Sequence, residues 1–137
     1  IEHLLAMIKR AERDGVRSLR VHILTDGRDV SPRSALEYIQ ILENQLNNAP
    51  QDYKIGTGGG RMHCTMDRYE ADWKMVRRGW DCHVHGLGQR FSSATEAIEY
   101  FYAQDQKLDD QWIPTFVIDD YQGIRVRSHS VPHYGAA

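Results

Sequence analysis

The chain has 137 residues, enough for one domain. Seventeen Lys and Arg stand against nineteen Asp and Glu, a formal net charge of −2, which argues against a general nucleic-acid coat or a polybasic membrane tether. Hydrophobic residues make up 41% and charged residues 26%, a globular mix, and no apolar run approaches the ~20 residues of a membrane span. Cys64 and Cys82 form neither a CxxC nor a zinc spacing, which suits reduced thiols and a cytoplasmic setting. No basic stretch followed by an apolar one opens the sequence, so secretion is not expected. Ile1 lies inside a helical pattern with no capping residue before it, as expected of a processed terminus or a piece of a longer protein.

In chain order, Leu4, Leu5, Ile8 and Ala11 fall on one face of a helix over 2–14, and Gly15 stops it. Leu19 to Leu24 is a short strand with blurred alternation, as in a sheet covered on both faces. Asp26-Gly27-Arg28-Asp29 is a turn. Ser31-Pro32 opens the next helix as N-cap and first helical residue, with Ala35, Leu36, Ile39 and Leu42 inward. Tyr53 to Thr57 is a second strand that runs into a loop, Gly58-Gly59-Gly60-Arg61. Strand, helix, strand over this length is a βαβ unit, hence an α/β fold: a parallel sheet with flanking helices. A third helix is expected over 67–80, with Tyr69, Trp73, Val76 and Trp80 near helical spacing. A fourth runs from Ser93 to Gln104, with Ser93 and Glu96 as a capping box. Phe116 to Ile118 is a last strand, after which the pattern dissolves.

Ligands of open α/β sheets bind beyond the carboxyl ends of the strands. Two polar loops fall there. In the first, Arg28 suits a carboxylate or phosphate and the neighbouring aspartate suits hydroxyls; the alternative is a surface turn with an internal salt bridge. In the second, consecutive glycines could expose backbone amides as an anion nest beside Arg61 and Arg68; the alternative is a flexible connector. It is not a P-loop, because Gly-Lys-Ser/Thr is missing. The seven histidines include the pairs His83/His85 and His129/His133, but neither pair has a third ligand at zinc spacing, so satisfied or exposed histidines are expected. Trp73, Trp80 and Met75 read as packing residues, and Arg77-Arg78 as a solvated helix face.

The run Val21-His22-Ile23-Leu24-Thr25-Asp26-Gly27-Arg28-Asp29-Val30-Ser31-Pro32 resembles a signature stretch of cofactor-independent phosphoglycerate mutases. So does Gly58-Gly59-Gly60-Arg61-Met62-His63-Cys64-Thr65-Met66-Asp67-Arg68-Tyr69, followed by Trp73 and Arg78-Gly79-Trp80-Asp81, in the manner of the plant and trypanosomatid branch. Two long motifs in the right order are far more specific than a short glycine pattern. The likeness covers residues 1–118, read as part of a substrate-binding domain, with 119–137 a divergent or truncated tail.

What the resemblance implies is a parent enzyme of two α/β domains. One resembles alkaline phosphatase and carries a nucleophilic serine and two divalent metal ions, typically manganese. The other, in which this chain falls, holds the glycerate while phosphate moves between its hydroxyls. The implied substrate contacts are Arg28, Asp29, Arg61 and Arg68, with serine and metals outside this segment and the segment alone inactive. The implied partner is phosphoglycerate, with no nucleic acid or membrane, in a monomeric cytoplasmic enzyme of glycolysis and gluconeogenesis. Three features depart from the family. A substrate-binding histidine in a Gly-Gly-Val-His-like stretch would precede Ile1. A later arginine-rich motif has no counterpart. His85-Gly86-Leu87-Gly88 replaces a Gly-Glu-Gly-like turn. The competing functions are a non-catalytic phosphosugar- or anion-binding module and a single-strand nucleic-acid binder, the latter weakened by the balanced charge.

Overall fold

The computed structural model describes residues 1–65, 72–119 and 121–124. Helix α1 (Glu2–Arg13) leads to strand β1 (Ser18–Thr25), helix α2 (Ala35–Asn47) and strand β2 (Asp52–Gly60). A single turn, α3 (Arg61–Cys64), precedes α4 (Trp73–His85), β3 (Gln89–Phe91) and α5 (Ala94–Gln104). A 3-10 turn (Asp110–Trp112) and strand β4 (Phe116–Ile118) follow. The sheet order is β1-β2-β4-β3.

The βαβ unit is as expected, with β1 and β2 parallel from Ser18↔Asp52 to Thr25↔Gly60. The expectation of an all-parallel sheet is corrected: β4 enters antiparallel to β2 and is itself parallel to β3. Three-residue strands carry too little pattern to reveal their direction, and β3 escapes the sequence reading altogether.

Helix α1 ends in a Schellman arrangement: the Val16 amide donates to Ala11 O, the Gly15 amide to Glu12 O, and Gly15 sits at φ +73°. Ser93 caps α5 as anticipated, its hydroxyl accepting from the Glu96 amide at 3.0 Å, while Glu96 reaches back to the Ser92 amide at 2.8 Å. The start of α2 differs from expectation. Ser31 and Pro32 lie before the helix, and its first amides, on Ser34 and Ala35, donate to the carboxylate of Asp110 at 2.9 and 2.8 Å. A cap supplied from 75 or more residues away leaves no local sequence signal.

The main core lies between α2, α5 and one face of the sheet: Ile39, Leu42 and Leu46 meet Ile98, Phe101, Ile55, Phe116 and Ile118. Helix α4 covers the other face through Met75, Gly79 and Cys82, and the Cys82 thiol donates to Phe116 O at 3.3 Å. Met75 packs as expected, but the reading of Trp73 and Trp80 as packing residues is corrected, since both are exposed. The helix is rolled so that Gly79 meets α3, where a Cβ would stand 1.9 Å from Cys64 O. The first residues of the expected 67–80 helix lie outside the described residues. Arg77 is solvated as expected and pairs with Asp81.

Candidate anion-binding site

The site begins where β1 and β2 end together, at the Thr25↔Gly60 pair. Beyond Thr25 comes the Asp26–Asp29 turn. Gly27 takes φ +63°, a conformation that favours glycine, and a Cβ there would also collide with Asp109 and Asp110. The Asp29 amide donates to Asp26 Oδ2 at 2.9 Å, closing the turn. Beyond Gly60 comes α3, which starts on Arg61.

The glycine run is not the loop, and not the anion nest, that its composition suggests. Gly58, Gly59 and Gly60 are the last residues of β2, buried and paired with Ile23, Leu24 and Thr25. A Cβ on Gly58 would lie 2.4 Å from the Phe116 ring, one on Gly59 2.7 Å from Cys64 Sγ, and one on Gly60 2.2 Å from Gln111 O. The glycines are a packing requirement, and their amides are engaged in or beside the sheet; that of Gly60 donates to Ile113 O at 2.7 Å.

Arg61 is the residue this packing positions. Its side chain is 16% exposed, and its Nη1 approaches Asp26 Oδ1 at 3.5 Å. Its Nε is buried without a hydrogen-bond partner. A guanidinium with one long ion pair and an unused donor retains capacity for an anion. Arg28 and Asp29 sit on the exposed turn, 59% and 84% exposed, and pair at 4.0 Å, so the internal salt bridge of the alternative reading is present. The structure therefore brings the Asp26–Asp29 turn and Arg61 to neighbouring strand ends. Arg68 lies outside the described residues. The side chain that ties the two loops is Asp26, holding the turn with one oxygen and Arg61 with the other. Its place immediately after a strand was the available signal.

Around the site, His63 stands edge-on to Trp112, and burial, with the nearby Arg78 charge, lowers its pKa. On the sheet's α4 side, the Thr57 hydroxyl lies between Nδ1 of His22 at 2.7 Å and Nδ1 of His83 at 2.5 Å. His85 Nε2 accepts from Trp80 Nε1 at 3.1 Å, so His83 and His85 each have a protein hydrogen-bond partner. His129 and His133 fall outside the described residues. Among the described residues, no three His, Cys, Asp or Glu side chains converge as a metal site. The donor set of the described residues does not fit the metal pair that the sequence resemblance implies. No helix among the described residues is long and apolar enough to cross a membrane.

The family described as BPG-independent PGAM N-terminus (iPGM_N) matches residues 1–130. The chain belongs to this family. A "Probable 2,3-bisphosphoglycerate-independent phosphoglycerate mutase" of Leptospira interrogans is 52% identical over 123 residues, covering 88% of this chain and 22% of that protein. The 2,3-bisphosphoglycerate-independent phosphoglycerate mutase of Prunus dulcis is 46% identical over 127 residues, covering 90% and 26%. Among solved structures, Leishmania mexicana phosphoglycerate mutase superposes with a TM-score of 0.82 at 41% identity, over 90% of this chain and 23% of that one. The chain thus spans about a quarter or less of the length of these relatives.

Proposed function

We propose that this chain is the substrate-holding part of a 2,3-bisphosphoglycerate-independent phosphoglycerate mutase, an isomerase that interconverts 3-phosphoglycerate and 2-phosphoglycerate. The observation that carries the reading is Arg61: a largely buried guanidinium at the end of β2, with an unpaired Nε, beside the Asp26–Asp29 turn. In this reading Arg28 and Arg61 grip the carboxylate and phosphate of the substrate through paired charge-assisted bonds, and Arg68 joins them. Asp29 accepts a hydrogen bond from a glycerate hydroxyl and takes that hydroxyl's proton as its oxygen attacks the returning phosphate. Binding through the Arg61 guanidinium, whose Nε has no partner, keeps the glycerate in place between loss and return of phosphate.

The serine that takes the phosphate and the two divalent ions, manganese in this reading, belong to the rest of the parent, in a domain like alkaline phosphatase. The parent is read as a monomeric cytoplasmic enzyme of glycolysis and gluconeogenesis, of the branch shared by plants and trypanosomatids. Residues 1–118 form the substrate-binding part and 119–137 a divergent tail. The test is calorimetric titration of the purified chain with 3-phosphoglycerate, glycerate and inorganic phosphate. Binding of 3-phosphoglycerate tighter than either fragment supports the reading, and equal affinity for inorganic phosphate favours a generic anion module. Conversion of 3-phosphoglycerate by this chain with added manganese would overturn the assignment of the chemistry to the rest of the parent.

A further inference from the structure

The 3-10 turn Asp110–Trp112 lies against both strand ends. Gly27 and Gly60 carry no Cβ because this turn occupies the space: added carbons would stand 2.9 Å from Asp110 Cβ and 2.2 Å from Gln111 O. Asp110 is 1% exposed, yet it is a carboxylate with every partner in one place. Its Oδ2 accepts from the Ser34 and Ala35 amides at 2.9 and 2.8 Å, and its Oδ1 accepts from the Tyr102 hydroxyl. Its own amide donates to Pro32 O at 2.7 Å. Its carbonyl accepts from the Thr25 hydroxyl at 2.6 Å. Thr25 is the residue before the anion-site turn, and Pro32, Ser34 and Ala35 are where that loop re-enters regular structure. One residue thus fastens both ends of the loop that carries Arg28 and Asp29.

The local chemistry sharpens this. Helix α2 has no side-chain cap of its own, so without Asp110 its first amides lose their acceptor. Arg33 stacks over the Tyr102 ring at 3.9 Å and donates to Leu108 O at 2.8 Å, tying the loop's far end to the same region. Asp110 lies in neither anion-site loop, and its carboxylate is already filled, so it is not a ligand for substrate.

We propose that Asp110 is the positioning residue of the anion site, clamping both ends of the 26–34 loop so that Arg28 and Asp29 stand at a fixed place relative to Arg61. This rests on the substrate reading above only for the identity of the anion. Displacing a binding group by about an ångström is enough to cost on the order of a hundredfold in function.

The test compares Asp110→Ala and Asp110→Asn in the full chain by amide hydrogen exchange and by titration with 3-phosphoglycerate. Asparagine keeps a carbonyl oxygen for the Ser34 and Ala35 amides and an NH2 group for Tyr102, so it is the conservative rescue. In Asp110→Ala, amides of residues 28–35 exchange faster than those of β2 by more than the fall in global stability accounts for. Affinity drops about ten- to a hundredfold. Asp110→Asn stays close to the parent chain in both readouts. If Asp110→Ala does not fold, Thr25→Val removes one clamp bond at nearly constant volume, and the same local rise in exchange is expected. Exchange that rises equally in loop and sheet, or an asparagine variant no better than alanine, would make Asp110 a merely structural residue and overturn the proposal. If the parent chain does not bind 3-phosphoglycerate, the substrate reading fails while the exchange pattern still decides the clamp.

Discussion

Gly79 sets two rules against each other, which makes Gly79→Ala informative. It sits in the middle of α4, where alanine is ordinarily favoured over glycine by about 1 kcal/mol. In this fold, however, α4 crosses α3 at Gly79, and a Cβ would stand 1.9 Å from Cys64 O, 2.7 Å from Cys64 C and 3.0 Å from Cys64 Cα. These are backbone atoms and cannot rotate away. Ordinary contact begins near 3.4 Å, so α3 and α4 must separate by more than an ångström. Overpacking of this kind costs about 3 kcal/mol, at the upper end of the usual range, because no side chain can yield. After the propensity gain, about 2 kcal/mol of net destabilisation remains, equivalent to a fall of roughly 6–10 °C in Tm for a chain of this size. Because α3 starts on Arg61, the same shift moves the guanidinium and weakens 3-phosphoglycerate binding. The assay is urea denaturation beside a calorimetric titration. A Gly79→Ala chain as stable as the parent, or more so, would refute the close crossing and the placement of Arg61 built on it.

Three further outcomes are expected. Arg61→Lys removes the planar fork and the unpaired buried Nε together, so 3-phosphoglycerate affinity falls about ten- to a hundredfold while Tm does not drop; unchanged affinity would take Arg61 out of the site. Burial holds the pKa values of His63 and His83 below the ordinary histidine value of 6.5, so the unfolded chain binds more protons in mild acid. Stability is therefore full above about pH 6.5 and declines as pH falls through the lowered folded values, a slope that His83→Gln flattens; urea midpoints across that range check it. Burial pushes the thiols of Cys64 and Cys82 up to about 12 and about 11, so neither reacts with a disulfide reagent near pH 8 until the chain is unfolded. Rapid labelling of the native protein would contradict the burial of both.

The long elements were legible because each repeats its signal: the apolar face of α1, the β1–α2–β2 unit and the Ser93 cap all follow from local pattern. What stayed hidden depends on distant partners. The cap of α2 comes from Asp110, and the antiparallel entry of β4 follows from a connection that three residues cannot encode. The glycine run misled for a definite reason. Glycine signals a loop by composition, whereas here Phe116, Cys64 and Gln111 press against a strand that has no room for side chains. Trp73 and Trp80 read as packing residues by hydrophobicity alone, but the face of α4 is decided by where Gly79 lets a neighbouring backbone approach. Of the four anticipated contact residues, Arg28, Asp29 and Arg61 stand in the two segments that follow β1 and β2, and Asp26 links those segments.

The most direct test of a single anion site at these strand ends is a two-dimensional NMR titration of the nitrogen-15-labelled chain with 3-phosphoglycerate. Amide shifts of Asp26–Asp29 and of Arg61–Cys64 are predicted to move together along one binding curve, with α5 and the Ser93 cap unmoved. Shifts confined to one of the two segments, or two segments titrating with different affinities, would contradict a shared site.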